Sequence, residues 1–386
     1  MNFDWSIDVH DNFLANFKRV AELDDQIKNA RNLEKDQLKD ERRRLWIITG
    51  NKLCDAYPFY SARIKTLTLL SANESESLKD VCRKPYIEIV FKNGKQSVEK
   101  GCAEVETLLE IFKTPVLNDI NDFPPFSFFL QFTFELAKPY LSKDDEEFYI
   151  CENPIRKDKV FKVPMVSGSS WKGNMRWTAG KLIELKVSDP EEKLLRRIQL
   201  SKLFGHENEA EKRYFDSLMS DDKRTAFEAE MKSWSTNGLR SGRLNFYPTF
   251  FDQIGLEVIN PHDRKTKAGT QPIYIESVPT GATGMFSLLY VPFDLMGKPQ
   301  NQIRDEVITD LDMVCKALRA MMLTYGFSAK KGSGFGIVRE DFYCDDSDGS
   351  LNIRHAEVKK YVMKTFSELS NRFETVQGLI EGQNGR

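Results

Sequence analysis

The sequence lacks any apolar run approaching the ~18 to 20 residues that a membrane-spanning helix needs. Its 386 residues are 40% hydrophobic and 30% charged, which excludes a bundle of membrane helices and fits a globular chain. Cysteine is scarce: the six, at 54, 82, 102, 151, 315 and 344, form no Cys-x-x-Cys pair and have no histidine at a zinc-binding spacing. Neither a disulfide framework nor a structural zinc is expected, and the thiols read as ordinary reduced ones. An excess of one charge is missing too. With 56 Lys and Arg against 58 Asp and Glu the formal charge is −2, so a polyanionic partner could be met only by a local patch. Met1-Asn2-Phe3-Asp4-Trp5 has neither the basic flank nor the apolar segment of a secretory leader, so the expectation is a cytoplasmic protein with no membrane partner.

At two to three times the ~150 residues of a typical domain, the chain has room for a sizeable core and an appended module. Residues 11–49 contain no proline or glycine, and Leu14, Phe17, Val20, Leu23 and Ile27 recur at three- and four-residue spacings, predicting a long helical stretch. Its charged run Glu34 to Arg44 reads as a solvated face. A strand over 85–100 with an Asn93-Gly94 turn, then helix over 103–113, completes a mainly helical module. The Asn-, Asp- and Pro-rich run 118–125 marks a boundary. Beyond it Phe126, Phe128, Leu130, Phe132 and Phe134 alternate with mostly polar residues, the period of a strand with one buried face. A second strand over 284–291, a helix over 303–323 and a glycine-rich turn over 326–336 follow. Strands separated by helices, without repeated nucleotide-binding fingerprints, predict an α+β domain with a largely antiparallel sheet.

The most informative stretch is Pro164-Met-Val-Ser-Gly-Ser-Ser-Trp-Lys-Gly-Asn-Met-Arg-Trp-Thr-Ala-Gly-Lys181. A loop of small residues opens into a helix, where freed backbone N–H groups, the hydroxyls of Ser169 and Ser170, and the cations Lys172 and Arg176 can converge on a phosphate. Lys172 and Arg176, four apart, share a helix face. This is not a Walker A loop, because Lys172 precedes Gly173. From Arg156 to Lys181 seven basic residues (156, 157, 159, 162, 172, 176, 181) stand against one acid, Asp158. The net of +6 is either the footprint of a nucleic-acid backbone or a solvated loop and helix cap, and the neighbouring glycines and serines favour the former. A second element, Tyr325 to Val338, places glycines 326, 332, 334 and 336 around Lys330 and Lys331. Its Phe327 and Phe335 either stack on unpaired bases or anchor the loop in the core.

Together these elements, with Asn153-Pro154-Ile155, Ser201 to Gly205 and Gly242-Arg-Leu-Asn-Phe246 between or before them, resemble the RAMP proteins of type III CRISPR effectors over about 120–345. The resemblance implies a ferredoxin-like, RRM-type core with an antiparallel sheet. On that scheme 1–120 is a helical N-terminal extension, 121–345 the RNA-binding RAMP domain and 346–386 a C-terminal helical tail. The family's P-G-S-S-[LI]-K-G-x-x-R motif lies along the guide RNA backbone, which implies RNA contacts for Ser169, Ser170, Lys172 and Arg176. Lys181, Arg156, Arg264, Lys330 and Lys331 extend the candidate RNA-binding set. This chain departs from the motif at Ser167, in place of proline, and at Trp171, in place of an aliphatic residue.

The resemblance leaves two positions in the complex open: the repeated backbone subunit, whose thumb loop would use Arg264, Lys265 and Lys267, or the cap at the guide's 3′ end. Implied partners are guide RNA, target RNA and other type III effector subunits. Target-cutting relatives place an Asp where this chain has Glu152, before Asn153-Pro154. Cleavage by Glu152, with Asp144 and Asp145 as further candidate acids, would use Mg2+; otherwise no metal or cofactor is expected. The acidic turn Lys143 to Glu147 reads more readily as solvated, and His262, after Asn-Pro, as a turn residue. A guide-processing nuclease of the same superfamily is disfavoured by the Ser-Ser-x-Lys-Gly element, and a pure protein-interaction role suits only the N-terminal module.

Overall fold

The structure is a computed structural model that describes residues 5–31, 34–42, 44–45, 87, 91–92, 95–96, 99–100, 120–144, 153–159, 163–207, 209–234, 241–260, 265, 269, 273–342, 349–354 and 358–369. Labelled helices are α1 (Trp5–Asn29), α2 (Gly168–Lys186), α3 (Pro190–Phe204), α4 (Glu209–Ser217), α5 (Asp221–Trp234) and α6 (Gln300–Ala320). The strands are β1 (Phe91–Lys92), β2 (Lys95–Gln96), β3 (Glu99–Lys100), β4 (Phe128–Glu135), β5 (Met165–Val166), β6 (Leu244–Phe246), β7 (Thr249–Phe250), β8 (Gln253–Ile259), β9 (Ile273–Ser277), β10 (Thr283–Tyr290), β11 (Gly349–Arg354) and β12 (Val358–Met363). The chain divides into one unit of residues 1–111, 141–165 and 251–279 and another of 112–140, 166–250 and 280–386.

In the first unit α1 buries Val20 and Leu23, as its spacing predicts. Arg19 to Glu41 (2.9 Å) and Arg42 to Asp24 (3.0 Å) tie it to the helical residues 34–42. Strands β1 and β2 pair around positions 93–94, where the Asn-Gly turn was expected. β3, β8 and β9 form a separate antiparallel sheet. The helix expected over 103–113 lies outside the described residues.

The second unit is built on the sheet β12-β11-β4-β10-β6, antiparallel at every pairing. In β4 the side chains of Phe128, Leu130, Phe132 and Phe134 are all buried, as their alternation requires. Phe132 stacks on Phe286 and Phe342, and Phe128 on Tyr290. Read as β4-α2-β6-β10-α6-β11, the unit has the β-α-β-β-α-β order of a ferredoxin-like domain, with its first strand between the third and fourth. Helices α3 to α5 are inserted between α2 and β6, and β12 is appended at the sheet's edge. The helix expected over 303–323 is α6, closed by one π turn, Met321–Tyr325, and by Gly326.

One expectation is overturned at the end of the chain. Within the helical tail expected over 346–386, residues 349–354 and 358–363 instead supply β11 and β12. Leu351 and Ile353 are buried and alternate with half-buried Ser350, Asn352 and Arg354, which is a strand's period. β11 also takes up the open hydrogen-bonding edge of β4. Among the described residues of this stretch helical backbone appears at 366–369, and residues 370–386 lie outside the description.

Candidate nucleic-acid interface

Helix α2 begins at Ser167 (φ −70°, ψ 153°), whose Oγ accepts a hydrogen bond from the Ser170 N–H at 3.2 Å. A cap of this kind is worth about 1 kcal/mol. The φ is one that proline also holds, so serine fits the family's proline position and adds the capping hydroxyl. The same Oγ lies 2.9 Å from the hydroxyls of Ser169 and Ser170. Three hydroxyls thus gather at the positive end of the helix dipole. Gly168 admits no side chain, because a Cβ there would stand 2.4 Å from the Phe246 carbonyl oxygen.

Trp171 fixes this first turn to the sheet. It is fully buried, its ring meets Phe134, Phe286 and Phe327, and its Nε1 donates to Thr249 Oγ1 at 3.0 Å. An aromatic residue serves at 171 because the sheet's phenylalanines accommodate its volume and Thr249 takes its polar hydrogen. Phe327 is 2% exposed and packs on Trp171, Phe134 and Tyr140, so it anchors the glycine-rich loop in the core. Asn174 Nδ2 also donates to the Phe327 carbonyl at 3.1 Å, holding that loop against α2.

Partners sort the basic residues. Arg176 donates to the carbonyls of His206 (2.9 Å) and Gly205 (3.1 Å), and its Nε lies 2.6 Å from Glu211. It joins α2 to the end of α3. Lys181 binds Glu184 and the Tyr214 hydroxyl, bonds that raise its pKa. Lys157, in the first unit, forms an almost fully buried ion pair of 2.6 Å with Glu276, which also accepts the Ile155 N–H. Lys172 is different. Among the described residues its half-buried ammonium has no hydrogen-bond or carboxylate partner. Burial, and after it the charge of Arg176, push its pKa below the ordinary lysine value. Next to it Gly173 is exposed, with no described atom within 4 Å of where its Cβ would be.

Lys330 and Lys331 likewise have no carboxylate partner among the described residues. Lys330 is exposed and holds a left-handed backbone (φ 59°), a conformation glycine or asparagine adopts more easily. Lys331 lies 4.5 Å over the Trp177 ring, and burial lowers its pKa.

Ser169, Ser170, Lys172, Lys330 and Lys331 therefore belong to one unit, on elements in contact. Arg156 and Asp144 belong to the other unit, where the Arg156 N–H donates to Ser142 Oγ and the Asp144 N–H to the Pro154 carbonyl. Glu152, Asp145, Arg264, His262 and Lys267 lie outside the described residues. No group of three or more histidine, cysteine or acidic side chains that could hold a metal occurs among the described residues. Among the described residues no helix is long and apolar enough to cross a membrane. Cys315 is buried in α6, with its thiol pushed up to about 12 by burial.

Two buried charge networks were not foreseen. Arg243, 2% exposed, reaches Asp310 (2.6 Å), Asp294 (2.5 Å) and Glu306 (2.6 Å), while the Tyr290 hydroxyl donates to Asp310 at 2.8 Å. Burial pulls the guanidinium's pKa down, but Asp294 and Asp310 outweigh it and raise the value. Arg197 is held by Glu207 and Asp216 under the Phe227 ring. Both networks brace the sheet and the inserted helices behind α2.

The RAMP superfamily matches residues 147–339, half of the 386 residues, and the chain belongs to that superfamily. A Streptococcus thermophilus protein named "CRISPR system Cms endoribonuclease Csm3" is 28% identical over 185 residues, 47% of this chain and 72% of that one. A chain in the cryo-EM structure of the type III-B Cmr-beta complex bound to cognate target RNA is 16% identical, covering 76% of this chain and 77% of that chain. The TM-score is 0.37, and the ferredoxin-like strand order is that of this chain's own sheet.

Proposed function

We propose that this protein is an RNA-binding subunit of a type III CRISPR effector, in which the start of α2 and the 326–336 loop hold the guide RNA backbone and help position target RNA. The observation that carries the reading is Lys172. It is a half-buried cation without a counter-ion among the described residues, beside three clustered hydroxyls at a helix N-terminus, and a phosphate would supply the missing charge. Ser169 and Ser170 would donate to phosphate oxygens, and Lys330 and Lys331 would supply the facing charge. Arg176 acts as a positioning residue, keeping α2 in register with α3. Other effector subunits are the protein partners.

Contacts of this kind read phosphate and shape, with sequence left to base pairing. A guide-like single-stranded RNA of fixed length should therefore bind with nearly the same affinity when its sequence is scrambled, and Lys172→Ala should weaken all versions alike. A strong preference for one sequence would refute the reading. A second reading, metal-dependent cleavage of target RNA at regular intervals, is favoured by the name of the 28% identical relative, an endoribonuclease. Its candidate acids are Glu152, Asp144 and Asp145, of which Glu152 is the first to test. Loss of cuts in the assembled complex on Glu152→Ala would support it, and an uncut target with wild-type complex would remove it.

A further inference from the structure

Helix α2 exposes an aromatic ring, Trp177, whose described contacts are with Tyr325, Lys331 and Lys181 at the surface. Trp177 is 43% exposed, although Trp171, two turns earlier, is fully buried. The Tyr325 ring meets it edge-on at 5.3 Å and 87°, and the Lys331 ammonium stands 4.5 Å from its centroid. Gly173, Trp177 and Lys181 are spaced by four, so they form one stripe along the helix. That stripe is bare between the hydroxyl cluster and the indole, because no described atom lies within 4 Å of a Cβ at Gly173. The same is true of Gly332, beside Lys331. Neither glycine has a positive φ or a close neighbour among the described residues to require it, so both leave the described surface open to a ligand.

We propose that Trp177, steadied by Tyr325, is a stacking platform for one unpaired nucleobase of the bound RNA, with Lys331 taking a phosphate of the same stretch. The inference rests on the RNA reading of Lys172 and adds a base contact to it. Ser169 and Trp177 are eight residues apart on α2, about 12 Å along the axis, so a strand anchored at the hydroxyls can reach the ring. Lys331 and Lys330, without carboxylate partners among the described residues, give the platform the charge that suits a nucleic acid. A flat ring beside free cations is how single strands are held without sequence preference.

The test scans single abasic sites along a guide-like RNA against the full chain and its Trp177→Leu and Trp177→Phe variants, with thermal unfolding as a check on folding. At one register the missing base should weaken wild-type binding by about 5-fold or more, with little effect on Trp177→Leu and a partly restored effect in Trp177→Phe. Wild-type tryptophan fluorescence should be quenched on binding, by an amount that Trp177→Phe removes. If Lys172→Ala still weakens binding while no register separates the variants, the platform alone is overturned. If Lys172→Ala also changes nothing, the RNA reading fails and takes the platform with it. If Trp177→Leu impairs only assembly with other protein chains, the ring belongs to a protein interface and the inference is likewise overturned.

Discussion

Gly173→Ala should move stability and RNA binding in opposite directions. Gly173 lies inside α2, where glycine costs about 0.5–1 kcal/mol relative to alanine. A Cβ at 173 meets no described atom within 4 Å, so nothing internal offsets the gain. The variant should therefore be more stable by about that amount, read as a higher urea midpoint with an unchanged m-value. The added methyl would stand beside Lys172, on the path by which an RNA backbone approaches the hydroxyl cluster. Intrusion into a close-packed contact costs about 1–3 kcal/mol, roughly 5- to 150-fold in affinity, read by fluorescence anisotropy. A variant that is stabilised yet binds RNA as tightly as the wild type would show that nothing approaches this face. A destabilised variant would show that the space is occupied within the protein.

The lowered pKa of Lys172 has a defined sign. Its charge, and the binding it supports, are lost as pH rises through a value below that of ordinary lysine. Binding of an alkali-stable 2′-O-methyl oligonucleotide should weaken over that window, and Lys172→Arg should flatten the profile because a guanidinium stays charged. Arg176→Ala should cost about 3 kcal/mol, since it removes the guanidinium from its ion pair with the largely buried Glu211 and from the carbonyls of Gly205 and His206; urea unfolding reads the loss, while the salt dependence of RNA binding by the folded variant stays that of the wild type. Trp171→Leu should cost about 2–4 kcal/mol through the cavity it opens among Phe134, Phe286 and Phe327, seen as a lowered unfolding midpoint.

What the sequence made legible was local. The alternation in β4 and the spacing in α6 are carried by single segments, and both elements stand as expected. Ser169, Ser170 and Lys172 were legible together because hydroxyls, a lysine and a glycine follow one another at a helix start, whereas the capping role of Ser167 came from the structure. The charge count from Arg156 to Lys181 was less informative, because it ignores carboxylates that the fold brings from far along the chain. Glu276 neutralises Lys157, and Glu211 meets Arg176. The same long-range pairing hid Arg243, whose acids lie on segments more than fifty residues away. A charged residue beside a β-strand's apolar run, as at Arg243 or Glu276, was the available signal for a buried network. The strand over 358–363 was missed because its edge position lets exposed Lys359 and Lys360 mask the alternation, and β11, six residues long, offers too short an alternation by itself.

The central claim is that the start of α2 holds an RNA phosphate through Lys172. The most direct test is the slope of log affinity against log salt for a guide-like single-stranded RNA, measured for the wild type and for Lys172→Ala. Loss of one phosphate contact should make the slope shallower by about 0.7 and weaken binding at low salt. An unchanged slope in a folded variant would contradict the account and leave the hydroxyl cluster as a helix cap alone.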